Sequence, residues 1–320
     1  MLAHEDIPGL FFHGVFFVFG AVGNIFIITV NCTEWVKSSI DLYSLDIILV
    51  SLAVTNILHL CIYLACTICR WLWVEIYKQD QVHKFFLIVM SYLCCCSILF
   101  TTVLLIYFYV KILNINNPSF MRFKVKFPGT VPWLLLGCVL IFVASCVVIL
   151  TTDLLLKTKG DAVVNTSIIV PSNASEEYHS RSWALKGCLS IPFTIIAVVG
   201  SLCMAMLTFF TVAILNFICT HMRRMRHNEN GFLSTRLNAY CGAMRTITLF
   251  FTLYVLMFIS QWLVKFNDVI PETPGYLIET FLFSSFPAFN SLIIILGNSK
   301  LRKTLTGLIY RVRCCKGDTS

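Results

Sequence analysis

Apolar and polar positions along this chain are segregated on the scale of a bilayer. Seven long apolar runs occupy residues 9–30, 43–68, 85–112, 131–150, 185–219, 243–264 and 276–296, separated by polar intervals. A helix needs about 20 apolar residues to cross the hydrocarbon of a membrane. Inside it, a spanning segment must satisfy its own backbone groups, so runs of this length read as transmembrane helices. The third run dominates. From Phe85 to Val110 it holds no formal charge, and at about 1.5 Å per residue the stretch to Ile112 is about 40 Å long. It therefore tilts or projects into water. It ends on Lys111, and the loop beyond carries Arg122, Lys124 and Lys126 without an acid. The positive-inside rule makes that end cytoplasmic.

That helix orients the others, with the amino terminus outside and the carboxyl terminus inside. The charges agree. Lys37, four cations around the second internal loop, five in the third and six in the tail place 16 of 24 Lys and Arg on the cytoplasmic side. By the same division, 11 of 16 acids fall in the external segments. Residues 1–8 hold Glu5 and Asp6 but no Lys or Arg, unlike a signal peptide, so the first run is expected to be retained. The fold class expected is all-α and integral to the membrane: one seven-helix bundle of the rhodopsin-like receptor architecture over residues 1–297. Residues 298–320 form a cytoplasmic tail that alternates basic and apolar residues, as a short amphipathic helix on the membrane does.

Composition narrows the function. Hydrophobic residues make up 58% of the chain and charged ones 12%, against about 25% charged in soluble domains. The net charge of +8 follows membrane orientation and implies no nucleic-acid partner. There is no His/Glu zinc spacing, no phosphate-cradling glycine loop and no nucleophile elbow, so no enzyme, metal or cofactor is expected. The longest polar interval, 153–184, holds two sequons, at Asn165 and Asn173, where glycosylation is expected. Asn31 also fits the pattern but lies at the cytoplasmic end of the first run. Cys314 and Cys315, beside Arg311, Arg313 and Lys316, are candidates for S-palmitoylation. Cys94, Cys95 and Cys96 point about 100° apart on a helix and read as small packing residues.

Polar groups inside apolar runs are costly and usually face the bundle interior. Asn24, Asp46, Asn56 and Asn290 are of this kind. They are candidates, with Lys111, Tyr254 and Ser291, for an interhelical network that rearranges on activation. Lys111 also reads as an interface anchor that snorkels.

Four ordered blocks carry a family resemblance. Residues 20–37 (GAVGNIFIITVNCTEWVK) with 46–56 (DIILVSLAVTN) resemble the first two helices of the type 2, or bitter, taste receptors. Residues 107–114 (YFYVKILN) are similar to the motif standing where most rhodopsin-like receptors carry Asp-Arg-Tyr. His221, Met225, Ala239, Ala243, Met244 and Arg245 with LFFTLY (249–254) resemble the third internal loop and sixth helix, and 286–303 (FPAFNSLIIILGNSKLRK) the seventh. The chain departs at Asn56, where the family usually has Arg, and at Asn290, where it usually has His. Tyr240 also stands in place of a usual His, and Met90 and Cys94 in place of frequent Trp and Asn. It resembles a divergent member.

The resemblance implies a G-protein-coupled chemosensory receptor at the plasma membrane. A small, mostly apolar agonist would bind in the outer half of the bundle, and the partner would be a gustducin-like heterotrimeric G protein. Candidate ligand residues by helical phase and family position are Met90, Cys94, Trp262, Glu279 and Thr280; Trp262 reads equally as a belt aromatic. Arg223, Arg224, Arg226 and Arg245 are candidates for G-protein coupling, with membrane lipid as the other partner of such charges. No cysteine lies between Asp153 and Lys186 or in residues 80–86, so the disulfide common in rhodopsin-like receptors cannot form. This argues against the first alternative, a type 1 vomeronasal-like receptor. A transporter or channel, the alternative of another class, would show internal repeats, and none is visible.

Overall fold

The computed structural model describes residues 7–38, 44–77, 80–112, 118, 121–122, 124–140, 143–144, 147, 151, 197–223, 234–266 and 274–317. Among them the chain is helical, with no strand. The elements are α1 (Ile7–Ser38), α2 (Ser44–Leu72), the single turn α3 (Val74–Tyr77) and α4 (Asp80–Ile112). Residues 124–140 form α5, Ala197–Arg223 form α6, and α7 (Ser234–Phe266), α8 (Pro274–Gly297) and α9 (Ser299–Gly317) complete the described chain.

Several helices overrun their apolar runs. The bilayer sets how much of a helix must be apolar, but its backbone hydrogen bonds continue into the polar flank. Thus α1 continues through Asn31–Ser38, and α7 begins at Ser234, nine residues before the apolar run. Among the described residues, five helical stretches are long and apolar enough to cross a membrane: Leu10–Thr33, Ser44–Leu72, Ile88–Lys111, Ala197–Arg223 and Tyr240–Ser260. The sixth candidate pairs α8 with α9 across a 95° bend. Lys300, Arg302, Lys303, Arg311, Arg313 and Lys316 all lie on α9. Its charge and its right-angle setting are those of a helix suited to lie along a membrane surface.

In α4, 72% of the most apolar stretch is buried, against 22–44% in the other four. It is the column against which the bundle packs. Its Leu104, Leu105, Ile98 and Phe100 join Leu207, Ile214 and Ile218 of α6, Phe250 and Tyr254 of α7 and Phe286 of α8 in one core. The outer faces of the bundle are as apolar as its interior: Phe19, Leu202, Phe209 and Trp133 are 60–74% exposed. Such a belt suits hydrocarbon, where an apolar exterior carries no penalty.

Small residues set how closely α1 meets α8. A Cβ on Gly23 would sit 2.5 Å from Ser291 Oγ, and one on Gly20 would touch Leu60 and the Ala288 backbone. At the far end of α8, Gly297 lies directly against Thr246 of α7. Next to it, Asn298 makes the elbow, and its Oδ1 accepts from the backbone N–H of Lys300 (2.9 Å) and Leu301 (3.5 Å) to start α9. Pro287 sits inside α8. Lacking an N–H, it leaves the carbonyl of Phe283, one turn earlier, without its usual helical partner.

Candidate functional site

Two polar clusters stand out in this apolar bundle. The first crosses its middle. Asn24 of α1 donates both amide hydrogens, to Gly20 O (2.7 Å) and to Pro287 O in α8 (3.3 Å). Its Oδ1 accepts from Asn56 Nδ2 of α2 at 3.0 Å. Asn56 Oδ1 in turn accepts from Asn290 Nδ2 of α8 at 3.1 Å. The same amide group of Asn290 reaches Tyr254 OH (3.3 Å) and Ser97 Oγ (3.4 Å). On α7, Tyr254 OH lies 2.7 Å from Thr101 Oγ1 and 2.9 Å from Ser97 Oγ, both on α4. Asn24, Asn56, Ser97, Thr101, Tyr254 and Asn290 are all at most 1% exposed. Five helices are therefore tied by one chain of amides and hydroxyls.

Nothing in this chain is ionisable near neutral pH except at high cost, so its currency is hydrogen bonding. Asn290 Oδ1 is left buried without a partner. An acceptor in that position costs about 1–3 kcal/mol. It gives the cluster a reason to prefer an arrangement in which a donor reaches it.

The second cluster lies at the elbow end. Lys300 Nζ of α9 donates to Asn31 Oδ1 of α1 at 3.0 Å and to Asp46 Oδ1 of α2 at 3.3 Å. Asn31 is 2% exposed and its amide also donates to Ile27 O. Lys111 places its ammonium 5.7 Å from the centre of the Tyr107 ring, a cation–π contact on its own helix.

Of the residues singled out in the sequence, the structure thus joins Asn24, Asn56, Tyr254 and Asn290 directly. Asp46 belongs to the separate elbow cluster. Lys111 contacts Tyr107 instead of the amides. Ser291 faces Gly23 and donates to Ala288 O (2.8 Å), which makes it a packing residue of the α1–α8 seam. Ser97, Thr101 and Lys300 were not singled out. Ser97 and Thr101 are spaced one turn apart on α4, but Ser91 and Thr102 are hydroxyls of the same apolar stretch, and nothing in the sequence marks the pair.

Among the candidate ligand residues, Met90 and Cys94 are buried, at 6% and 2% exposure. Cys94 Sγ lies 3.9 Å from His59 Nδ1. Trp262 is half-buried and meets Phe258 edge-on at 6.0 Å. Glu279 and Thr280 lie on α8, with side chains outside the described residues. A cavity of about 230 Å3 opens near the elbow, lined by Leu49, Leu105, Phe108, Ile247, Phe250 and Ile294 among others, with Asn298 and Ser299 at its polar edge. Arg223, on the last turn of α6, and Arg245 on α7 are exposed at the same end. Arg224, Arg226, Asn165 and Asn173 fall outside the described residues, as do the side chains of Cys314 and Cys315.

Comparison with known proteins is consistent along the chain. Residues 1–313 match the family model described as taste receptor protein (TAS2R). Taste receptor type 2 member 7 of Macaca mulatta is 28% identical over 304 residues, covering 92% of this chain and 90% of the relative. The Pongo pygmaeus member 7 gives 28% over 303 residues with the same coverage. Taste receptor type 2 member 42 of Papio hamadryas is 25% identical over 302 residues, 93% of this chain and 91% of the relative.

Proposed function

The chain belongs to the TAS2R taste receptor family, and on that premise we propose how it senses its ligand and signals. It is a multi-pass membrane protein and a bitter taste chemosensory receptor, not an enzyme. The reading is of seven crossings, amino terminus outside. A small, mostly apolar agonist enters the outer half of the bundle near Met90, Cys94, Trp262, Glu279 and Thr280. It favours one packing of the helices because it binds that packing more tightly than the other; equal affinity would shift nothing. The elbow end then receives a heterotrimeric G protein of the gustducin type at the plasma membrane.

The observation that carries this is the buried chain from Asn24 to Thr101. Coupling between distant sites needs an element with two arrangements. A set of amides and hydroxyls that spans five helices, with Asn290 Oδ1 unpaired in the present arrangement, supports an alternative in which a donor reaches that oxygen. The exposed Arg245, between the cavity-lining Ala243 and Thr246, and the exposed Arg223 at the end of α6 support the site of coupling, with Arg224 and Arg226 following Arg223 in the chain. The right-angle α9, with its six cations, supports contact with anionic lipid, and Cys314 and Cys315 there suit acylation. Glycans at Asn165 and Asn173 complete the external face.

The test is calcium release in cells that supply a promiscuous G protein, challenged with a panel of bitter compounds. At least one compound should evoke a saturable response absent from untransfected cells. Normal surface expression with no response across a chemically diverse panel would count against the reading.

A further inference from the structure

We propose that a small cavity between α1, α2 and α8 is a polar subsite that seats one uncharged, hydroxyl-sized group able both to donate and to accept a hydrogen bond. None of the candidate ligand residues lines this cavity, although Cys94 of α4 touches its His59 wall from behind. His13, His59, Tyr63, Thr67 and Ser284 contribute its polar wall, and its volume is about 10 Å3. That is close to the roughly 10–15 Å3 a single water requires, and a water also needs two to four polar partners.

Those partners are present. His13 and His59 are 6% and 1% exposed, so both are nine-tenths buried or more. Each carries one buried ring nitrogen without a hydrogen-bond partner, Nδ1 of His13 and Nε2 of His59. The other nitrogens are engaged: His13 Nε2 lies 3.4 Å from Tyr63 OH, and His59 Nδ1 3.9 Å from Cys94 Sγ. A third group completes the set. Pro287 frees the Phe283 carbonyl from its helical bond. The Phe283 backbone approaches the His59 ring without completing a hydrogen bond to Nε2. A polar gap of this kind is where a bridging molecule belongs. In hydrocarbon, groups released by proline are commonly satisfied by water or a neighbouring side chain.

The chemistry of the occupant follows. A carbonyl accepts only, so the occupant must donate to it. An imidazole nitrogen donates or accepts according to tautomer. A hydroxyl does both, and so does water. No charged side chain lines the cavity to pair with a charged occupant. An isolated anion would bear a large desolvation cost in so small and apolar a space.

Occupancy would be felt at the amide chain. His59 stacks on Phe283 (6.3 Å between centres) and tilts on Phe286 (5.9 Å), and Phe286 meets Tyr254 edge-on at 5.4 Å. Only this consequence rests on the receptor reading; the binding claim stands apart from signalling.

The same hydroxyl chemistry has two sources, solvent or an organic ligand, and one experiment separates them. Full-length receptor in lipid nanodiscs is subjected to radiolytic hydroxyl labelling in 18O-water, and side-chain oxidation is read by mass spectrometry. Bound water generates radicals in place, so Tyr63 and His59 should label several-fold faster than Tyr254, which is fully buried and already hydrogen-bonded. Labelling no faster than at Tyr254 would overturn the site. Benzyl alcohol should then suppress labelling at Tyr63 while toluene at the same concentration should not. Suppression by neither leaves water as the sole occupant and overturns the ligand subsite. Equal suppression by both overturns its hydrogen-bonding character. His59→Phe should bring Tyr63 down to the Tyr254 rate. If that variant fails to reach the membrane, His13→Phe carries the same expectation from the opposite wall.

Discussion

Tyr254→Phe removes a single oxygen from the centre of the bundle and leaves the ring in place. That oxygen lies within 2.7–3.3 Å of Thr101, Ser97 and Asn290, so it ties α7 to both α4 and α8. A phenol has one donor and two acceptor positions. Each bond is worth about 1 kcal/mol net in soluble proteins, and about 0.6 kcal/mol on average between membrane helices. Losing two or three costs about 1–3 kcal/mol, and the packing of the ring on Phe286 is retained. The expected outcome is a folded receptor that melts a few degrees lower. The assay uses the chain's own thiols: Cys94, Cys95 and Cys96 are 2–7% exposed on α4 and react with a thiol-sensitive fluorophore only once the bundle opens. The diagnostic is coupling. Asn290→Ala removes the amide that reaches the same oxygen, so the double variant should lose less than the two single losses combined, by about 0.5 kcal/mol or more. Additive losses would refute the view that these residues form one network.

The seam between α1 and α8 makes a sharper steric prediction. Gly23→Ala should destabilise by about 1–3 kcal/mol, as overpacking does, because its Cβ would press on Ser291. Gly14→Ala on the same helix meets nothing within 4 Å and should be neutral or stabilising; equal melting of the two variants would contradict the packing. At the elbow, Lys300→Glu should weaken α9 docking through repulsion from Asp46, and adding Asp46→Lys should restore it, read by quenching of a fluorophore on the tail. The restored term is modest, about 1 kcal/mol, because both side chains are only partly buried, at 25% and 15% exposure, and still screened by water, and failure of the swap to recover docking would show that the ion pair is incidental. Finally, Arg223→Ala with Arg224→Ala should reach the cell surface and bind agonist yet signal weakly. If calcium release falls only in proportion to surface label, the arginines anchor lipid and orientation, and coupling lies elsewhere.

The apolar runs were readable because a bilayer demands a minimum length of uncharged helix, and no local detail alters that demand. Asn24, Asn56 and Asn290 were readable for the same reason: an amide in hydrocarbon has to find a partner. Their partners were less so. Ser97 and Thr101 look unremarkable in α4, since either hydroxyl can satisfy itself on its own helix's preceding carbonyl; that they face Tyr254 depends on how α4 and α7 rotate against each other. Lys300 read as one more tail cation. Only the right-angle elbow at Asn298 folds it back beneath α1 and α2, where it meets Asn31 and Asp46. His13 and His59 gave no signal because nothing in their spacing, on two helices, shows that Phe283 and Ser284 on a third close a cavity with them. Spans follow from solvent; polar pairings follow from helix rotation, which hydropathy does not encode.

The central claim is that agonist binding in this bundle drives exchange on a G protein. The most direct measurement places purified receptor in nanodiscs with a purified heterotrimeric G protein and follows guanine-nucleotide exchange as an agonist from the cellular panel is added. The account predicts a saturable, agonist-dependent rise in exchange that Arg223→Ala with Arg224→Ala blunts without loss of agonist binding. Agonist that binds the nanodiscs but leaves exchange at its basal rate, while receptor-loaded vesicles accumulate the compound, would contradict it and point to a transporter.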